Sequence, residues 1–168
     1  MIGARLDTWH ERDAASLLAM AKDGGWRNLT DPYLVQIKTT DQARRVIGIL
    51  QGIEWSFCIR IDEDAVGGVL LFRHPAPKHH TVELGFWILE PARGLKLYRE
   101  VWGPGIDFLR KQGIWRIEAK PYPWSDKTIS MCKSLGFTLE GIAMSSIEHE
   151  GKRTDELMFA YVLPEDGE

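Results

Sequence analysis

Apolar positions along this chain recur with two different periods, and each change of period marks the boundary of an element. Arg5-Leu6-Asp7-Thr8-Trp9 has the character of a short edge strand, after which Asp13 is placed to cap a helix whose apolar residues, Ala14, Leu17, Leu18 and Ala21, keep helical spacing up to Gly24-Gly25. Turn formers at Asn28-Leu29-Thr30-Asp31-Pro32 lead through Tyr33-Leu34-Val35 to a second helix, capped at Thr40 or Asp41 and carrying Ala43, Val46, Ile47 and Leu50. Trp55 to Ile61 alternates, Asp62-Glu63-Asp64 turns, and Val66 to Phe72 is almost continuously apolar, which predicts a β-hairpin.

A second group of elements follows the turn Pro75 to His80. Thr81 to Ile88 reads as a strand, Pro91 stops it, Arg93-Gly94 turns, and helical spacing resumes after Gly94. Gly103-Pro104-Gly105 interrupts that spacing, so the helix either restarts near Pro104 or is kinked there, with Gly113 as its stop. Ile114 to Ala119 predicts a strand, and Pro121-Tyr122-Pro123-Trp124 keeps the chain extended beyond it. Ser125 and Asp126 are capping residues for a helix through Ile129, Met131, Cys132 and Leu135, stopped by Gly136. Strands over 138–147 and 157–163 flank a turn at 148–152, and the tail 164–168 is expected to fray.

Strand, turn and helix over 81–102 point backbone N–H groups and the positive end of a helix dipole at a common spot, which makes this stretch the first candidate for an anion site. Composition narrows the rest. The 168 residues are 44% apolar, with no compositional break, and predict one domain over 1–168. A net charge of −3 lacks the basic field of nucleic-acid binders and favours an amine or cationic partner. The chain shows no leader-like N-terminus and no apolar run of membrane-spanning length, so a cytoplasmic protein is expected. Cys58 and Cys132 are too few for a disulfide framework or zinc site and predict reduced, buried thiols; no metal is expected. Of the seven tryptophans, Trp87, Trp102 and Trp115 sit among apolar neighbours and predict core positions, whereas Trp9, Trp26, Trp55 and Trp124 are candidates to line a cleft. His79-His80 predicts solvated turn histidines, and the acidic group Glu148, Glu150, Asp155 and Glu156 a solvated face or a mouth attracting an ammonium group.

Four segments carry a resemblance. Glu83-Leu84-Gly85-Phe86-Trp87-Ile88 is followed by Arg93-Gly94; Ser125-x-x-Thr128 is followed by Ser134-Leu135-Gly136-Phe137-x-x-Glu140-Gly141; and Gly151-Lys152-Arg153-Thr154-Asp155 precedes the last strand. In this order and spacing they resemble the GNAT N-acetyltransferase superfamily, in the branch that acetylates ribosomal-protein N-termini and related amines. The resemblance implies an α/β fold with a mixed sheet of about seven strands, splayed between the fourth and fifth, and about four flanking helices. It implies acetyl-CoA as co-substrate, its pantetheine arm on the backbone of Phe86, Trp87 and Ile88 and its pyrophosphate on the loop Arg93, Gly94, Leu95, Lys96, Leu97 and Tyr98, with Ser125 and Thr128 also on the cofactor side. Glu83 is then the base for the attacking amine, and Cys132 stands where the family often has a tyrosine acid. The acceptor is a small-molecule amine or a protein N-terminus, and homodimerisation stays open. Lys96 and Tyr98 occupy the two positions that the family fills with small residues, and Ser125 replaces an asparagine. The alternatives are a catalytically inactive binding module of the same fold and a different acyl carrier in place of CoA.

Overall fold

A computed structural model describes residues 2–22 and 37–165. Three sequence expectations lie outside the described residues: the helix stop at Gly24-Gly25, the turn-rich stretch with Trp26 and Tyr33-Leu34-Val35, and the last part of the tail. In hydrogen-bonding order the seven strands run β1-β2-β3-β4-β5-β7-β6. The chain divides into two compact units, Met1–Leu71 with Gly85–Gly105, and Phe72–Leu84 with Ile106–Glu168.

The first unit holds β1 (Ala4–Asp7), α1 (Ala14–Lys22), α2 (Thr40–Gly52), β2 (Ser56–Ile61) and the hairpin partner β3 (Asp64–Arg73) up to Leu71. β1 pairs antiparallel with β2, and β2 with β3, with a register shift at Ile59/Arg60. Of the residues that apolar spacing placed inward, Ala14, Leu17, Ala43, Val46, Ile47 and Leu50 are buried together with Cys58, Leu70 and Trp87; Leu18 and Ala21 are only partly buried against this cluster, and Met20, which the spacing did not single out, is buried in it. The α2 cap falls one residue before the two expected positions. Thr39 accepts from the Gln42 N–H, and the Gln42 side chain accepts from the Thr39 N–H, so Thr-x-x-Gln closes the first turn from both sides. Gly67 and Gly68 on β3 lie directly against Trp87, and a side chain at either would overlap it.

Asp13 departs from its expected role. It ends a 3-10 turn, Glu11–Asp13, and its carboxylate accepts from His10 N–H at 2.8 Å while lying 3% exposed against Arg60, which is fully buried. Trp9 and Trp55, expected to line a cleft, are 2% and 5% exposed, and Trp9 stacks on Trp87 at 6.1 Å. Burying an indole of this size contributes more than leaving it at a surface.

β4 (Thr81–Ile88) starts in the second unit and ends in the first, and α3 (Tyr98–Lys111) starts in the first unit and ends in the second. α3 passes through Pro104 as one helix; it neither ends nor restarts there. The second unit contains β5 (Arg116–Ala119), α4 (Asp126–Ser134), β6 (Thr138–His149) and β7 (Lys152–Val162). β5 lies parallel to β4 and antiparallel to β7, which pairs with β6. The β4–β5 ladder covers three pairs, Thr81–Arg116, Val82–Ile117 and Glu83–Glu118, with Leu84–Ile88 still to come on β4. Gly113 and Gly136, at φ +71° and +87°, stop α3 and α4 as expected.

The last hairpin is longer than its apolar pattern suggested. β6 runs to His149 and β7 starts at Lys152, leaving Glu150 and Gly151, both at positive φ, as a two-residue turn. Asp155 and Glu156, expected on a solvated face, hold this hairpin: Asp155 accepts from Ser145 N–H at 2.7 Å, where β6 bulges, and Glu156 accepts from Ser146 Oγ at 2.9 Å. Trp115, expected in the core, is 55% exposed and stacks on His80 at 3.8 Å; His80 Nδ1 lies 2.5 Å from the Gly113 carbonyl.

Candidate active site

The first unit brings together the end of β4 and the loop that follows it. Glu90–Ala92 form a 3-10 turn, Arg93, Gly94, Leu95 and Lys96 are exposed, and Leu97 is buried at 1% as the anchor that lets α3 begin at Tyr98. Arg93 Nε donates to the Ile88 carbonyl at 2.9 Å, tying the loop to the strand end. Lys96 has φ +53°, the left-handed conformation that favours glycine, although it carries a long side chain. Lys96 is one of the two positions where the resemblance implies a small residue, and its backbone has the shape for which glycine is suited. Among the described residues, the N–H groups of Gly94, Lys96 and Leu97 donate to no acceptor. Successive unused N–H groups beside a left-handed residue and a helix N-terminus form a cradle for an anionic oxygen. Phe86 and Ile88 are half-buried and Trp87 is buried.

The second unit holds the other named residues. Glu83 is partly exposed on β4, and its Oε2 accepts from Lys120 Nζ at 2.5 Å. Oε1 has no hydrogen-bond partner among the described residues. Lys120 follows β5 directly. Desolvation works to lower its ammonium pKa, but hydrogen bonding to Glu83 and the charges of Glu83, Glu118 and Glu156 outweigh it and raise the net value. Glu118, the β-ladder partner of Glu83, accepts from Arg116 Nε at 3.0 Å, and Arg116 also grips Glu140. Lys120, the hydrogen-bond partner of Glu83, was not among the candidates legible in the sequence. The signal was the alternation Arg116, Glu118, Lys120, which puts all three on one face of β5 and its extension.

Ser125 sits at the N-cap position of α4, but its hydroxyl makes no capping bond; Oγ is buried and unpartnered among the described residues. A hydroxyl that neither caps a helix nor meets solvent is costly unless something else engages it. Thr128 is half-buried one turn later. Cys132 is 1% exposed, and burial pushes its thiol up to about 11, so it stays protonated at neutral pH. No hydrogen bond joins it to Glu83; the partner of that carboxylate is Lys120. Cys58 is likewise a buried thiol outside any disulfide, and its Sγ donates to the Ile59 carbonyl at 3.7 Å. Among the described residues, no three His, Cys, Asp or Glu side chains gather as a metal site.

The acetyltransferase (GNAT) domain family matches residues 4–138. The chain belongs to the GNAT acetyltransferase family. The enzyme class and the mixed α/β sheet expected from the sequence are those of this family, with seven strands and four α-helices among the described residues. No curated protein matches the chain. Among solved structures, it is similar to RimJ from Mycobacterium smegmatis in complex with CoA-disulfide, at 20% identity and TM-score 0.79 over 94% of this chain and 80% of that one. It is similar to RimL, a ribosomal alpha-N-protein acetyltransferase in complex with coenzyme A, at 16% identity and TM-score 0.78 over 94% and 93%. It is also similar to a ribosomal-protein-alanine N-acetyltransferase from Brucella melitensis, at 19% identity and TM-score 0.74 over 94% and 99%. At these identities the likeness concerns the fold. No helix among the described residues is long and apolar enough to cross a membrane.

Proposed function

We propose that this GNAT protein transfers the acetyl group of acetyl-CoA to a primary amine, a protein N-terminus or small-molecule amine, by direct attack of the amine on the thioester, in the cytoplasm, with residues 1–168 acting as one functional domain. The observation that carries the reading is the glycine-like conformation of Lys96 between unused N–H groups, in a loop that the sequence leaves without its expected glycines. A backbone held at a strained φ by a long side chain costs on the order of 1 kcal/mol, which is retained where the shape is needed. The unpartnered Ser125 hydroxyl, and fold relatives holding coenzyme A, support the same reading.

Acetyl-CoA would supply the activated acetyl group. The backbone of Phe86, Trp87 and Ile88 would carry its arm, Arg93 to Tyr98 its pyrophosphate, and Ser125 and Thr128 would bond the arm from α4. An amine attacks only as its neutral form, so a base must accept the proton of the bound ammonium. Glu83 fills that role through Oε1, while Lys120 holds Oε2 and fixes the orientation of the carboxylate. Cys132, protonated at neutral pH, is the candidate donor to the departing thiolate.

Thermal unfolding with millimolar acetyl-CoA should show a clear rise in Tm, because a ligand that binds only the folded state stabilises it. An unmoved Tm would favour the inactive binding module. With binding established, Glu83→Gln should lower kcat by about 100-fold, the lower end of general-base effects, while leaving the acetyl-CoA Kd in place. Full activity in that variant would remove Glu83 from the mechanism. Cys132→Ala should lower kcat at saturating amine; unchanged kcat would leave Cys132 as packing.

A further inference from the structure

Beyond β5 the chain continues as Pro121-Tyr122-Pro123-Trp124 and turns sharply, with Ser125 N–H donating to the Tyr122 carbonyl at 2.9 Å. Two prolines restrict the backbone here before any contact forms. The turn lays the Trp124 indole on the Tyr122 ring with centroids 4.8 Å apart and planes within 10°. His149, the last residue of β6, meets both rings, at 5.1 Å and 5.0 Å and tilted by 47° and 43°. Leu157 N–H donates to the Pro121 carbonyl at 3.3 Å and ties the segment to β7.

Exposure within this group is uneven. Tyr122 is 5% exposed and forms the base, whereas Trp124 remains 50% exposed. Half of a large indole left in water forgoes a substantial part of the burial free energy that the rest of the fold collects. Here the ring is also held still by stacking, by the prolines and by the hairpin. A rigid flat ring that is stacked on Tyr122 and still half exposed suits another flat group. It is not a cage for a cation, which needs several ring faces converging on one point, because the Tyr122 face is already covered by Trp124.

The same short segment carries the chemistry. Lys120, which grips Glu83, lies two residues before Tyr122, and the Glu156 charge acts on both Lys120 and Tyr122. We infer that Trp124, backed by Tyr122 and His149, is the acceptor-recognition platform, and that the acceptor is an amine attached to a planar aromatic or heteroaromatic group that stacks on the open indole face. This rests on the transferase reading and narrows its substrate class. Trp124 orients the acceptor, and Glu83 takes its proton.

The test compares phenylalaninamide with cyclohexylalaninamide, which has a similar bulk but a puckered ring. KM is read from CoA thiol release, and binding is read separately as the tryptophan-fluorescence change that wild type shows and Trp124→Phe lacks. Wild type should favour the planar amine by about tenfold in KM, the scale of one aromatic stack. Trp124→Ala should bring the two amines within twofold of each other, while Trp124→Phe should keep most of the advantage in KM. Acetylation of both amines with equal KM would overturn the platform and leave the transferase reading standing. Saturable binding that prefers the planar amine, without thiol release, would keep the platform and sink the transferase reading. A dimer in gel filtration that Trp124→Ala dissociates, with no amine preference, would assign the indole to a second copy of the chain and overturn the inference.

Discussion

Each unit is built around an arginine that holds two carboxylates, and the two centres differ in how far water reaches them. Arg60 is fully buried and all five of its N–H groups are used: Nε on Asp7, Nη1 on Asp13 and the Glu63 carbonyl, Nη2 on Asp13 and the Thr8 carbonyl. The guanidinium pins the segment between β1 and α1 to β2. Arg116 is 24% exposed at its side chain and grips Glu118 and Glu140, with Lys120 and Glu83 continuing the row of charges. A saturated, desolvated centre has no atom left to offer a ligand and much to lose if broken. A partly exposed row with a spare carboxylate oxygen is worth less to stability than a saturated buried centre and keeps an acceptor to offer. Burial separates the buried Arg60 centre from the proposed site more sharply than charge content does.

The largest effect should come from Arg60→Met, which leaves Asp13 buried without its cation. Urea unfolding should show a loss of about 3–5 kcal/mol, the cost of stranding one partner of a buried pair. Arg116→Met should cost about 1 kcal/mol or less, in line with pairs that face solvent. Similar losses at the two positions would break the comparison. Lys120→Met sharpens it from the other side: kcat/KM for the amine should fall by about tenfold, because the Glu83 carboxylate loses its fixed orientation, while the urea midpoint stays close to wild type.

Acid titration compares the two centres again. The Thr8 N–H, followed by Arg60, holds the Asp7 carboxyl below its ordinary pKa against opposing desolvation, and hydrogen bonding to Arg116 does the same for Glu140. A depressed folded-state pKa contributes stability that is complete above the unfolded value of about 4 and is lost as pH falls through the folded value. Asp7→Asn should therefore flatten the fall in stability below about pH 4 and leave the slope near neutrality unchanged. An altered slope near pH 7 would contradict this. The smallest effect is a gain: Lys96→Gly should stabilise the protein by up to about 1 kcal/mol by removing the left-handed strain, read as a higher urea midpoint. A loss would mean that the lysine side chain makes up for its backbone.

The order of elements, the inward faces of α1 and α2, the glycine stops at Gly113 and Gly136, and the family itself were legible along the chain, because each depends on residues close in sequence. The Thr39-x-x-Gln42 cap was equally local and was passed over in favour of Thr40 and Asp41. Other features needed partners that only folding supplies. β7 begins at Lys152 because β6 pairs with a polar stretch that has no apolar period of its own. Trp115 lies outside and Trp9 inside because their fates depend on His80 and Trp87, far away along the chain. The Asp13–Arg60 contact joins residues 47 apart, and Lys120 reaches Glu83 across 37. Periodicity tells which face a residue presents, but the partner that meets that face, and whether water is left between them, is decided by long-range packing.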